Sequence, residues 1–158
     1  MVDGRERLYE RNAFDSGLTL PLLASMLRCM KTIVNHVPGG PKPAGPYSLG
    51  IVAEGKFLFL SGQIPYNPAT GKLERGTIEE QTQLVLNNLK SIIEAAGGKI
   101  ENVVNCRVYL QPFDAQTFPK MNEIYAKFWG SQPPTRTTIG CQLLNCDVEM
   151  DCIVVMEK

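Results

Sequence analysis

The spacing of hydrophobic and polar residues changes period several times along the chain, and each change marks an element. Lys31–Asn35 reads as a short strand, followed by a loop from Val37 to Pro46 that is dense in proline and glycine. Ser48–Ala53 and Lys56–Gln63 read as two strands, and Glu54-Gly55 between them is a tight hairpin signal. Ile64–Gly76 reads as loop, with turns at Asn67-Pro68 and Thr70-Gly71. From Thr77 the period becomes helical. Thr77 and Glu80 have the spacing of a capping box, and Ile78, Val85, Leu89, Ile92 and Ala96 recur on one face as far as Gly97-Gly98. Asn102–Leu110 returns to the strand period, with Val104, Cys106, Val108 and Leu110 on one side. Asp114–Trp129 is a second helical region that carries Phe118, Met121, Tyr125 and Phe128 inward. Pro119 fits only in its first turn, and Gly130 ends it. Thr135–Cys141 and Asp147–Met156 close the chain as strands.

This order predicts an α/β (α+β) domain with a mixed sheet of about six strands and two helices on one face. On the last strand Val148, Met150, Cys152, Val154 and Met156 share one side, while Glu149, Asp151, Ile153 and Val155 share the other. Two helices cover one sheet face only. The second face, partly apolar, needs another cover, and that predicts a homo-oligomer.

Residues 1–29 differ in character from the rest and read as an N-terminal appendage to a domain spanning 30–158. Leu18–Leu27 is apolar but far too short to span a bilayer. The acids before it do not suit a mitochondrial presequence, and no net-positive start suits a signal peptide. The expectation is a cytoplasmic protein with no membrane partner, a mitochondrial location being the alternative.

Composition narrows the chemistry. Sixteen Lys and Arg balance sixteen Asp and Glu, so there is no basic excess to neutralise a nucleic-acid backbone. Five cysteines, an odd number without a Cys-x-x-Cys pair, read as reduced thiols rather than a disulfide framework or zinc site. A single histidine, His36, leaves no Ser-His-Asp triad and no His-based metal site.

Arg136 stands out among the remaining candidates. Pro133-Pro134 leads into its strand in extended form, and Arg136, Thr138 and Gly140 share a face with small neighbours that leave room for a ligand. A guanidinium fork matches a carboxylate, and the bland alternative is a surface strand arginine. Glu149 and Asp151 share a face of the last strand. If that strand lies near Arg136, cation and carboxylate face one pocket and could bind and act as general base; otherwise they form ordinary ion pairs. Tyr47 after Gly45-Pro46 either lines a pocket or packs on the sheet. Gly62, after Ser61, allows close approach of a ligand to the backbone, or simply bends a strand end. Asn122 interrupts an apolar helix face, as a ligand contact or a solvent-facing residue.

Taken together, Gly45-Pro46-Tyr47-Ser48, Ser61-Gly62-Gln63-Ile64-Pro65, Asn67-Pro68-x-Thr70-Gly71, Gln81 with Asn88-Leu89, Pro134-x-Arg136 and Glu149-x-Asp151 resemble the RidA (YjgF-like) family of imine deaminases over nearly all of 31–157. The resemblance implies a chorismate-mutase-like fold, a homotrimer and active sites in clefts between subunits. It implies that Arg136 binds a substrate carboxylate, that Glu149 activates water, and that Tyr47, Ser61, Gly62, Asn122 and Thr138 line the pocket, with no metal or organic cofactor. The substrates implied are 2-imino acids such as 2-iminobutanoate and 2-iminopropanoate, hydrolysed to 2-keto acids and ammonium. One departure is visible. Ile139–Val148 looks short, and Leu143-Leu144-Asn145-Cys146 replaces the customary Leu-Pro turn, which leaves Asp151 as an alternative to Glu149. The rival activities are a ribonuclease or translation inhibitor, and a non-enzymatic metabolite sensor or chaperone-like binder.

Overall fold

The computed structural model describes residues 30–157. Its strands are β1 (Met30–Val34), β2 (Gly50–Glu54), β3 (Lys56–Phe59), β4 (Tyr66–Asn67), β5 (Lys72–Leu73), β6 (Val103–Leu110), β7 (Thr135–Gly140) and β8 (Val148–Met156). Helix α1 (Ile78–Ala95) lies between β5 and β6, and α2 (Thr117–Trp129) lies between β6 and β7. The appendage read into residues 1–29 lies outside the described residues.

The main sheet has the order β3-β8-β6-β7, and only β6 and β7 run parallel. Both helices lie on one face of it, with α1 packed on β8 and α2 beside α1. The core between them is Val85, Leu86, Leu89 and Ile93 of α1, Met121 and Tyr125 of α2, and Cys106, Val108, Leu110, Val148, Met150, Cys152 and Val154 of the sheet. The two-layer α+β architecture is therefore the expected one.

The six longer strands divide into two sheets rather than one, the β1-β2 pair and the four-stranded main sheet. β1 and β2 pair with each other, while β3 pairs with β8. Glu54-Gly55 is thus not the turn of a β2–β3 hairpin. A single residue, Gly55 at φ 145°, separates the two strands, and each finds its partner elsewhere. The longer-range pairing wins because it gives β3 the open edge of the most buried strand, β8. Lys31 ties the smaller ladder to the main sheet by donating to the Glu101 and Val103 carbonyls, at 2.8 and 2.7 Å. Ile64–Gly76, expected as loop, contains the small β4–β5 hairpin.

Local signals account for the helix ends. Thr77 and Glu80 form the reciprocal capping box, and Gly97 at φ 80° ends α1. Asp114 Oδ1 accepts the N–H groups of Gln116 and Thr117 and so caps α2 from just outside it. Two face assignments shift by one residue. Ile93 is buried and Ile92 is exposed, because the inward stripe of α1 is centred on Thr82, Leu86, Leu89 and Ile93. In β6 a register shift between Val103 and Asn105 turns Val103 inward and leaves Val104 half-buried.

The opposite face of the main sheet has no helix. It carries Phe57, Phe59 and Ile139, exposed to 44%, 71% and 44%, around an ion pair of Arg107 with Asp151. This is the partly apolar face anticipated from the last strand.

Candidate active site: two half-sites on opposite faces

Arg136 sits on β7 level with Cys106 of β6 and Cys152 of β8, both buried in the core. Partners in a ladder point to the same side, so its side chain runs along the helix-covered face. There Nη1 donates to Asn122 Oδ1 at 2.8 Å. Three rings surround the guanidinium, with Cζ 4.7 Å from the Tyr125 centroid, 5.7 Å from Tyr47 and 5.9 Å from Phe118. Burial presses the Arg136 pKa below its ordinary value, although an arginine stays charged at any working pH. Among the described residues no carboxylate lies within ion-pair distance of it. A half-buried cation without an anion is costly unless a ligand completes it.

The loop before β2 delivers Tyr47 to this place. Ser48 Oγ donates to the Pro133 carbonyl at 2.5 Å, and Ser48 N–H donates to Pro134 at 3.0 Å. These bonds staple Gly45-Pro46-Tyr47-Ser48 to the proline pair that starts β7. The loop backbone passes close to the site: a Cβ at Gly45 would make ordinary van der Waals contact with the Tyr47 ring at 3.5 Å and with Arg136 Nη2 at 3.8 Å. Thr138 follows Arg136 on the same face, and its hydroxyl is buried without a hydrogen-bond partner.

Glu149 lies elsewhere. It pairs with Tyr109, and Tyr109 pairs with Ile139, a level three residues along from that of Arg136. An odd separation puts it on the uncovered face, roughly 10 Å along the strands from the arginine level. β6 also stands between β7 and β8. Within a single chain the last strand does not lie beside Arg136, so Arg136 and Glu149 do not face one pocket there.

Glu149 has other company. Phe59 pairs with Ile153 and Gln63 with Met150, so the strand leaving β3 carries one extra residue across this interval. The bulge brings Gly62 so close that a Cβ there would lie 1.9 Å from Glu149 Oε1. Ser61 and Gly62 are both exposed beside it. Asp151, the alternative acid, is committed. Its Oδ1 accepts from Arg107 Nε at 2.8 Å, and its Oδ2 accepts from Tyr109 at 3.3 Å.

The seven candidate residues thus form two groups: Arg136, Asn122, Tyr47 and Thr138 on one side of the sheet, and Glu149, Gly62 and Ser61 on the other. Phe118 and Tyr125 belong to the first group and were read from sequence only as core. With Asn122 they recur at i, i+4 and i+7 on α2, a spacing that marks one helix face.

The endoribonuclease L-PSP family profile matches residues 39–156. The chain belongs to the RidA/YjgF (endoribonuclease L-PSP) family. It is 43% identical over 129 residues to a RutC family protein of Pyrococcus horikoshii, covering 82% of this chain and 99% of that one. It is 36% identical over 122 residues to the 2-iminobutanoate/2-iminopropanoate deaminase of Dermatophagoides farinae, covering 76% and 93%. Among solved structures, E. coli TdcF with bound serine superposes with a TM-score of 0.58 at 30% identity, over 78% of this chain and 98% of that one. A Rid-family protein of Yersinia pestis superposes with a TM-score of 0.68 at 26% identity, over 80% and 98%. Relatives of this RidA-family chain thus include named deaminases as well as proteins known only as RutC family members. No described helix is long and apolar enough to cross a membrane.

Proposed function

We propose that this protein hydrolyses 2-imino acids, such as 2-iminobutanoate and 2-iminopropanoate, to 2-keto acids and ammonium, in sites that form between subunits of a homotrimer. The observation that carries this reading is Arg136: a half-buried guanidinium, ringed by Tyr47, Phe118 and Tyr125 and held by Asn122, with no carboxylate of its own among the described residues. A small carboxylate is the ligand that such a fork fits. The deaminase name of a relative supplies the reaction class.

The two half-sites explain why a second copy is needed. The Glu149 group lies on the uncovered face that also exposes Phe57 and Phe59, so another chain packed there would bring its own Arg136 group within reach of Glu149. The arginine fixes the carboxylate of the imino acid and so orients the adjacent C=N carbon. Glu149 holds a water and takes its proton as the oxygen attacks that carbon. The resulting carbinolamine has one C–O and one C–N bond. Glu149 returns its proton to the nitrogen, the C–N bond breaks as the hydroxyl oxygen forms the C=O bond, and the hydroxyl proton passes to the departing ammonia, giving the keto acid and ammonium. The chemistry needs no metal or organic cofactor.

Mixing two dead variants tests this reading. Arg136→Ala and Glu149→Gln chains are each expected to be inactive when assayed with imine released by a threonine dehydratase. Unfolded together and refolded, random trimers regain an intact site at about a quarter of the interfaces. No recovery, or wild-type turnover by Arg136→Ala alone, refutes it. The family's ribonuclease description motivates one control: RNA cleavage that survives Arg136→Ala and weakens with salt would favour a nuclease instead.

A further inference from the structure

Residues 141–147, between β7 and β8, hold no candidate catalytic group, yet they are tied down from three directions. Arg75 donates Nε to the Asn145 carbonyl at 3.1 Å and Nη2 to Asn145 Oδ1 at 2.6 Å. Asn145 needs holding: at φ 63° it is the one non-glycine among the described residues in the left-handed region. Gln81, on the buried side of α1 and 1% exposed, grips the next turn at both ends of its amide. Its Nε2 donates to Asp147 Oδ2 and to the Gly76 carbonyl, each at 2.9 Å, and its Oε1 accepts the Asp147 N–H at 2.9 Å. Gln111 completes the set, its Oε1 accepting Leu143 N–H at 2.6 Å and its N–H donating to the Asp147 carbonyl at 2.8 Å.

This turn feeds directly into β8, where Glu149 stands two residues after Asp147. The Glu149 carboxylate has no side-chain hydrogen bond of its own to another described residue. Its aim at Gly62 is therefore inherited from the backbone that precedes it. A Leu-Pro turn would stiffen such a backbone by restricting φ; here Leu143-Leu144-Asn145-Cys146 has no proline, and side chains from outside take over the task.

We propose that Gln81 and Arg75 are positioning residues for Glu149, clamping Asn145 to Asp147 so that the carboxylate is delivered to Gly62. The proposal rests on the reading of Glu149 as the group that activates water. Arg75 works here as a fork on two acceptors, a geometry that a lysine ammonium does not reproduce.

The test uses the full chain with Arg75→Ala, Arg75→Lys and Gln81→Met. Imine turnover is measured with the substrate generated in place by an amino-acid oxidase, and 2-oxobutanoate affinity is measured by calorimetry. Turnover is expected to fall on the order of tenfold in all three, since an ångström of misplacement costs up to about a hundredfold. Keto-acid affinity is expected to stay within about twofold, because Arg136, Asn122 and Tyr47 stand on other elements. Wild-type turnover in Arg75→Ala, wild-type turnover in Arg75→Lys, or a loss of affinity that parallels the loss of turnover overturns the clamp. If Gln81→Met does not fold, the two Arg75 variants decide alone. An inactive wild type sinks the deaminase reading and this proposal with it, whereas an active wild type with clamp variants at full rate sinks only the clamp.

Discussion

Gly62→Ala separates the two roles that a close contact can have. A Cβ at position 62 would stand 1.9 Å from Glu149 Oε1, 2.9 Å from Cδ and 3.3 Å from Cγ. An ordinary contact is about 3.4 Å, so the oxygen has to retreat by about 1.5 Å, and a displacement of that size at a reacting group costs roughly a hundredfold in rate. Folding pays little. The atoms in the way are the far end of a flexible side chain, Gly62 is exposed, and its φ lies outside the left-handed region. Replacing glycine where the backbone already suits alanine usually stabilises by about 0.4–1 kcal/mol, by narrowing the unfolded ensemble. The variant should therefore melt at or slightly above the wild-type temperature while losing about two orders of magnitude in imine turnover. Thermal unfolding followed by circular dichroism, beside keto-acid release in a dehydratase-coupled assay, measures both. Wild-type turnover would mean that Glu149 does not act at Gly62. A Tm several degrees lower would mean that Gly62 serves packing, and either result refutes the reasoning.

Phe59→Glu places a charge on the uncovered sheet face where Phe59 is 71% exposed; it should yield a folded monomer by sedimentation, since burying a phenyl is worth roughly 2–3 kcal/mol at each interface. An unchanged oligomer would show that this face is not the interface. The Asp114 carboxyl is held below its usual pKa by the N–H groups of Thr117 and Gln116 at the start of α2. Its folded-state pKa is depressed, so its stabilising effect is full above the unfolded pKa and disappears as pH falls through the folded one. Tm measured against pH on the acid side should accordingly fall less steeply in Asp114→Asn than in wild type. Burial pushes the Cys106 thiol up to about 12 and raises Cys152 and Cys146 as well, while Cys141 is exposed. Brief alkylation at pH 8 followed by mass spectrometry should modify Cys141 and spare Cys106, Cys146 and Cys152 until the chain is unfolded; early labelling of Cys106 would contradict its burial.

Much of the fold was legible because the deciding physics is local. The Thr77–Glu80 capping box, the glycine stop at Gly97 and the strand alternation of Val148, Met150, Cys152 and Val154 depend on neighbours within a few residues, and the structure keeps them all. The Asn122 position was legible as an anomaly on an apolar helix face. Its pairing with Arg136 was not, since fourteen residues of chain and a change of element intervene. Ile92 and Val104 were misassigned where a stripe drifts across a helix and where a bulge reverses a strand, two effects that periodicity alone does not resolve.

By itself, the sequence determined the longer elements and most of their inward faces, and it singled out Arg136 and Glu149 as candidates. What only the tertiary structure decided was partnership. β3 abandons β2 for the edge of β8, and β6 comes between β7 and β8. Arg136 and Glu149 thereby end on opposite faces of one sheet, and an extra residue near Leu60–Gly62 brings a glycine against the acid. Side-chain alternation is a property of each strand alone, but strand order and register come from closing long loops around a shared core. The carbonyls and amides of a strand edge are the same for every partner, so no short stretch of sequence records which partner it will meet.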